Sequence, residues 1–522
     1  MRTKLVVVFA SVGLLLAVAP VWAHHDSRRA HAQLVTSGDC RGTAVYLCES
    51  GYIARLQHQD VTVSRVPRFG ARRLKGNDIL MKWHPLGLVG FILLSGSVVL
   101  AGNWPSFRGE SASGVGTGTP PVTWDLAKGT NVAWSAAIPG LGHSSPIVWG
   151  DRVYITTAVA TKGKEAAPVT GVMEVVGIAM ADDTSEHEWR LYALDRATGK
   201  ILWQQAARRG TPRSRHHRKS SHATATPTTD GKFVVAMMGS EGLYCYDVEG
   251  KLVWKKDLGV LDLGQVGNPE VQWGPASSPV IAGDRVIVQN DEQQNSFLAA
   301  FDLATGRQLW RVSNEDQPSW STPLVVHQGD RTLVVTTAPA AVRARDTATG
   351  KEVWHMGDDA QVRVPSPVLF GDLVIVTGGA PPGGKPISAI PLASTMSVSR
   401  EKLPWRIERG SPYTSTPLVY DGVLYAVTDN GVLSAYDAAT GVRFYQSRLG
   451  SGLSGFSSSP VAAGGRVYVA NEDGDLYVVR AGKTFQVNAT NSFNETIFAT
   501  PALDGNLLIV RTRGHLIALG TI

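Results

Sequence analysis

The chain has 522 residues, 43% of them hydrophobic and 18% charged, with 55 glycines and 3 cysteines, which excludes a disordered or disulfide-scaffolded chain and suits one large fold of short strands and tight turns. The formal charge of +6 does not mark a nucleic-acid protein. Residues 1–80 hold 11 Lys and Arg against 5 Asp and Glu, whereas residues 102–522 hold 38 against 39, leaving no basic stripe for phosphates.

In chain order, the first element is signal-like. Arg2 and Lys4 precede an apolar run, Leu5–Val18, and Val21-Trp22-Ala23 is a small-residue cleavage site. A second such segment spans 81–101: Met81-Lys82, the apolar Leu86–Leu100, and Val99-Leu100-Ala101. Cleavage at the first would leave the second inside the mature chain. Met81 is therefore the expected start, with residues 1–80 a doubtful upstream region; a real N-terminal anchor with a linker is the alternative. If residues 24–80 are real, Cys40 and Cys48 form a disulfide candidate in an oxidising compartment. Residues 102–522 hold only Cys245. Either start implies export, to a periplasmic or secreted location, with no membrane span in the mature chain. No Cys follows either cleavage site, so a lipid anchor is not expected.

From residue 131 onward one phrase recurs: small-Ser/Thr-Pro, an apolar strand, Gly/Asp, a second strand, a third ending in Asp, then Ala-Thr-Gly-Lys and a strand ending in Trp. The prolines are Pro146, Pro227, Pro279, Pro323, Pro367, Pro417, Pro460 and Pro501. The Asp-x-Ala-Thr-Gly turn stands at Asp195–Gly199, Asp302–Gly306, Asp346–Gly350 and Asp437–Gly441, with a shorter form at Asp247–Gly250. Asp caps such a turn and Gly takes its positive-φ position. The terminal aromatics are Trp203, Trp254, Trp310, Trp354, Trp405, Tyr445 and Phe485, placed to pack between neighbouring sheets. A four-stranded unit of this size is a propeller blade. Eight anchors predict an all-β, eight-bladed propeller over 102–522. The eighth unit lacks its last strand, and the early strand around Trp134 has no blade before it, so the N-terminal strand is expected to close the ring. Two segments break the period, 159–188 in blade 1 and 379–402 in blade 5; both read as Gly/Pro/Ser/Ala-rich loops.

The opening Trp104-Pro-Ser-Phe-Arg-Gly, with Pro139-Gly-x-Gly-His143-Ser-Ser-Pro146 and the repeats, resembles the exported bacterial PQQ-binding-like β-propeller proteins, over roughly residues 103–520. The resemblance implies the fold. It leaves function between distant relatives: the scaffold lipoprotein of outer-membrane barrel assembly and the PQQ-dependent dehydrogenases. The latter imply Ca²⁺ held by carboxylates and amides, a catalytic Asp, a Trp under the quinone and often a disulfide between adjacent cysteines. The sequence has no Cys-Cys pair, no ligand set at calcium-like spacing, and no HExxH, CxxC or Gly-x-Ser-x-Gly.

The loops before each anchor converge at the mouth of the central channel. They offer His143, Lys219 and His222, Gln272 and Trp273, Trp320, Arg363, Tyr413, Phe456, and Asn494 with Glu495. Cations beside aromatics predict a pocket for an anionic or carbohydrate-like ligand, with Lys219 and Arg363 carrying an anion. The tract Arg213–His222 reads as a basic solvated loop rather than a metal site. The expectation is a monomeric, non-catalytic cell-envelope binding or scaffold propeller engaging a protein, polysaccharide or small anion, with no catalytic residue, metal or cofactor. A quinoprotein-like oxidoreductase carrying PQQ and Ca²⁺ is the alternative.

Overall fold

The computed structural model describes residues 102–522, apart from 164, 173–176, 266–267, 315, 358–359, 361 and 381–384, together with three short strands nearer the start. Both signal-like segments, the choice of start and Cys40 of the Cys40–Cys48 pair lie outside the described residues. The chain divides into residues 1–94 and residues 95–522. In the first unit, Val45–Cys48, Tyr52–Gln57 and Asp60–Arg65 form an antiparallel sheet in chain order.

The second unit is the eight-bladed propeller that the repeats predict. Each blade is a four-stranded antiparallel sheet; blade 3 runs Val280–Ala282, Arg285–Asn290, Phe297–Asp302 and Gln308–Ser313. Blade 8 joins Ala502–Asp504, Leu507–Arg511 and His515–Leu519 to the early strand Val132–Ala137, with Ala518 opposite Trp134. Ring closure by the N-terminal strand is as predicted, and it leaves the sheet no open seam.

The recurring turn holds adjacent blades together as well as reversing the chain. Asp195 Oδ1 accepts the Thr198 amide at 2.8 Å and its hydroxyl at 2.6 Å, and Gly199 sits at φ +71°. A Cβ on that glycine would lie 2.4 Å from the Trp134 ring; on Gly306, 2.6 Å from Trp254; on Gly350, 2.8 Å from Trp310; on Gly441, 2.8 Å from Trp405. Each outer-strand tryptophan thus lies against the turn of the next blade. There five of the six indole N–H groups meet a carbonyl, Trp134 to Arg196 at 2.8 Å, Trp203 to Val248 at 3.0 Å, Trp254 to Leu303 at 2.9 Å, Trp310 to Thr347 at 3.0 Å and Trp354 to Leu392 at 3.1 Å, while that of Trp405 is buried without a partner. Glycine is required twice over, by its backbone angle and by the indole above it.

Within a blade the tryptophan faces a small residue: Ala193 opposite Trp203, Cys245 opposite Trp254, Ala300 opposite Trp310. Blade 7 departs from the sequence reading. Its outer strand is Val487–Ser492, so Phe485 precedes it, and Ala489 opposite Val478 takes the tryptophan's register position. Trp124 and Phe493, ring centres 5.5 Å apart, join the same core as Ala489.

The segment 379–402 is also more than a loop. Ile387–Pro391 is the third strand of blade 5, and Met396–Ser397 pairs in parallel with the outer strand of blade 4. Ile387, Ser388, Ala389 and Ile390 are all buried, as in a strand covered on both faces, and the run carries no two-residue alternation to mark it among the flanking glycines and prolines. Among the described residues of 159–188 the strands stand at the ends, where Ala160 pairs with His187. Among the described residues no helix is long and apolar enough to cross a membrane.

Candidate functional site

The channel is built on the residue before each anchoring proline. The Ser145 amide donates to Thr226 Oγ1 at 2.9 Å, Thr226 to Ser278 Oγ at 3.0 Å, Ser278 to Thr322 Oγ1 at 3.1 Å and Thr322 to Ser366 Oγ at 3.0 Å. Ser366 donates to Thr416 Oγ1 at 3.0 Å, Thr416 to Ser459 Oγ at 3.0 Å, Ser459 to Thr500 Oγ1 at 2.9 Å, and Thr500 back to Ser145 Oγ at 3.1 Å. Eight blades are thereby linked in one closed ring of hydrogen bonds. Each hydroxyl accepts one amide and keeps its own proton, and all eight line a cavity of about 210 Å³.

Residues 103–116 cross the channel. Trp104 exchanges backbone hydrogen bonds with Val148 of blade 1, and the Thr229 amide of blade 2 donates to the Pro105 carbonyl. On the far side, buried Arg108 donates to the carbonyls of Pro417 at 2.8 Å and Pro460 at 3.1 Å, in blades 6 and 7. Phe107 is thereby presented to the cavity. The Trp-Pro-Ser-Phe-Arg-Gly motif is therefore a strap that closes the channel.

Five of the eleven residues offered for the rim line this well: His143, Lys219, Trp273, Trp320 and Tyr413. His143 stacks on Phe498 at 4.5 Å. Burial, with Arg511 next, pushes its imidazole down to about 3, so the ring is neutral. Trp273 and Trp320 stand edge to face at 6.5 Å, and Trp320 Nε1 donates to the Gly274 carbonyl at 2.9 Å. The other six are not in its lining. Phe456 is buried against Tyr477. Arg363 is buried, with Nη1 donating to the Thr377 carbonyl at 2.5 Å. His222 faces Asp183 and His216. Glu495, outside the well, pairs with His515 at 2.7 Å.

The charges expected at the rim are paired. Lys219 Nζ lies 2.7 Å from Glu472 Oε1, a carboxylate wholly shielded from solvent. Glu472 also accepts from Ser457 Oγ at 2.5 Å and from the Gly171 amide at 2.9 Å, while Lys219 donates to the Gly171 carbonyl at 2.5 Å. The blade 1 insertion thus reaches across to blade 7 and is hooked by both partners. Asp429, in the wall, faces Lys385 at 3.3 Å.

The tract 213–222, read as a solvated loop, is partly internal: His216, His217 and Ser221 are buried, while Arg215 and Arg218 are exposed. The insertion covers it, through backbone bonds from Ala181 to His216 and from Val169 to Arg218. Sequence reading also missed Phe107, Phe498, Asp429, Glu472 and the hydroxyl ring. The ring alone carried a signal, the Ser or Thr repeated before every anchoring proline.

A calcium–quinone centre needs unpaired carboxylate oxygens and a flat aromatic floor. Here Asp429 and Glu472 are each taken by a lysine, and the two tryptophans cross at 81°. The residues present do not fit that group.

The family described as outer membrane protein assembly factor BamB matches residues 187–356, 294–390 and 394–521. No curated protein matches the chain. Among solved structures, BamB from Moraxella catarrhalis aligns over 74% of this chain and 96% of its own, at 15% identity and TM-score 0.49. A europium-containing methanol dehydrogenase aligns over 80% of this chain and 89% of its own, at 14% identity and TM-score 0.53, a likeness of fold alone.

Proposed function

Since the chain belongs to the PQQ-type repeat family described as outer membrane protein assembly factor BamB, we propose that it is a non-catalytic binding propeller of the cell envelope. Its ligand site is the well at the channel mouth, and its ligand is neutral and rich in hydroxyl groups, a short polysaccharide segment. The observation that carries this reading is the lining itself. Phe107, Trp273, Trp320, Tyr413 and Phe498 present rings, the anchor residues present eight hydroxyls, and the charges alongside are paired off. Ring faces take the apolar face of a sugar, and hydroxyls match its polar edge. An anion would find Lys219 already neutralised and Arg363 outside the well. The two signal-like segments support export to the periplasm or beyond.

Titration of the full chain with neutral di- to tetrasaccharides, followed by tryptophan fluorescence, tests the reading. Saturable quenching that weakens at least about tenfold in Trp273→Ala supports it, about 1.4 kcal/mol of binding. Silence toward every saccharide overturns it. Saturable uptake of PQQ with Ca²⁺ instead would restore the quinoprotein alternative.

A further inference from the structure

Away from the well, Asp183 of the blade 1 insertion, His187 at the start of the next strand and His222 of the loop into blade 2 come together. One donor atom from each lies within 4.8 Å of the others. The side chains of Asp183 and His222 are 5% and 8% exposed, and His187 is 2% exposed. Three such groups seldom share a dry site without a ligand or a full set of partners.

Their partners leave one lone pair on each. His187 Nδ1 faces the Ser185 carbonyl at 2.8 Å, which fixes the ring proton there and frees Nε2. His222 Nε2 has no hydrogen-bond partner; it stands 3.4 Å from Asp183 Oδ1 without hydrogen-bond geometry. The His222 carbonyl accepts from Trp189 Nε1 at 3.0 Å, and its ring stands edge-on to Trp189 and His216, so its orientation is set. Asp183 Oδ2 is held by His216 Nε2 at 2.8 Å, and His216 Nδ1 in turn meets the His217 carbonyl at 2.8 Å. Asp183 Oδ1 lies 3.4 Å from His222 Nε2, and a donor atom of His187 is within 4.8 Å of a donor atom on each of them.

Two imidazoles and one carboxylate, with His187 held from behind by a carbonyl, Asp183 by a histidine and the His222 ring by its edge contacts, are the donors of a zinc-class ion rather than of calcium or magnesium. Of the positive charges in and beside the tract, which would oppose a cation, Arg208 pairs with Glu241 at 2.7 Å, Arg213 with Asp257 at 2.8 Å and Lys219 with Glu472 at 2.7 Å, while Arg215 and Arg218 are exposed to solvent. We propose that Asp183, His187 and His222 form a site for a divalent zinc-class metal ion, which pins the blade 1 insertion to the loop leading into blade 2. The inference does not depend on what the well binds.

The test uses the full chain, stripped of metal and then loaded with Zn²⁺ or Co²⁺. The wild type is expected to retain one equivalent of Zn²⁺ more than Asp183→Asn/His187→Ala after desalting. Co²⁺ should give it visible bands that the double variant lacks. His327→Gln, a change at an exposed histidine of blade 4, should retain the full equivalent. Should the double variant fail to fold, the wild type alone decides: Zn²⁺ should raise Tm by about 2 °C or more over a chelator, and Mg²⁺ should not. Equal metal content in wild type and variant, or a Tm indifferent to Zn²⁺ and chelator, overturns the site; metal held elsewhere, by the histidines before residue 60, gives the first of these results.

Discussion

The Thr500 amide donates to the Ser145 hydroxyl at 3.1 Å, joining the last blade to the first across 355 positions of the chain. The propeller is therefore closed twice. Inside, the hydroxyl ring runs without a break; outside, Val132–Ala137 completes blade 8. The two closures draw on different chemistry, since one satisfies buried amides and the other removes sheet edges.

The inner closure is open to mutation at any link. Ser278→Ala leaves the buried Thr226 amide without its acceptor. An unsatisfied buried donor costs about 1–3 kcal/mol. Urea denaturation should show that loss for Ser278→Ala and much less for Ser278→Thr, which keeps the oxygen.

The glycine turns make a steeper prediction. Gly306 sits at φ +69°, and a Cβ there would lie 2.6 Å from Trp254 Cδ2. Gly306→Ala combines backbone strain with a clash against a buried indole, so a loss of about 2–4 kcal/mol is expected. Gly329→Ala also falls at positive φ but has no neighbour within 4 Å, and it should lose about 1 kcal/mol. Thermal unfolding of the pair separates strain from packing; equal losses would mean that the indole contact contributes nothing.

The fold was legible because blades repeat their chemistry: Pro at a strand start, Asp-x-Ala-Thr-Gly at a hairpin, Trp on the outer strand. Legibility stopped where one blade dropped a token. Blade 7 carries Ala489 where others carry an aromatic, and Phe485, four residues earlier, mimics the missing token in the sequence. Blade 5 lacks the Asp-x-Ala-Thr-Gly turn, and Ile387–Pro391 was hidden with it. The site was less legible, because a loop's place at the mouth does not fix where a side chain turns. Arg363 and Tyr413 come from equivalent loops, yet one lies in a blade and the other in the well. Glu472, the partner of Lys219, lies five blades away along the chain, and no local pattern announces such a pair.

Asp291 makes stability depend on pH. Burial pushes its carboxyl up to about 6 from 3.8, despite hydrogen bonds from Ser319 Oγ at 2.5 Å and Asn314 Nδ2 at 2.7 Å. A raised folded pKa contributes stability that is fully present below the unfolded value of 3.8 and lost as pH rises through about 6. That shift corresponds to about 3 kcal/mol. Asp291→Asn removes the titration, so the stability of wild type relative to the variant should fall by about that amount between pH 4 and pH 7. A difference that stays flat in urea titrations across this range would mean that the carboxylate is ionised throughout.

Lys219 and Glu472 give the final prediction, because their pair holds the blade 1 insertion over the channel mouth. Lys219→Ala strands a carboxylate that solvent cannot reach, and burial already pushes its pKa up. Removing one partner of a buried pair costs about 3–5 kcal/mol, whereas neutralising both together costs far less. Lys219→Met with Glu472→Gln should therefore recover most of the stability lost by Lys219→Ala. The hook on Gly171 is weakened in both variants, since each loses the lysine donor and the double variant also loses the carboxylate charge, so limited proteolysis should cut between residues 161 and 181 in each. Full protection of the loop in the double variant would assign its closure to the backbone bonds with His216 and Arg218, and not to the ion pair.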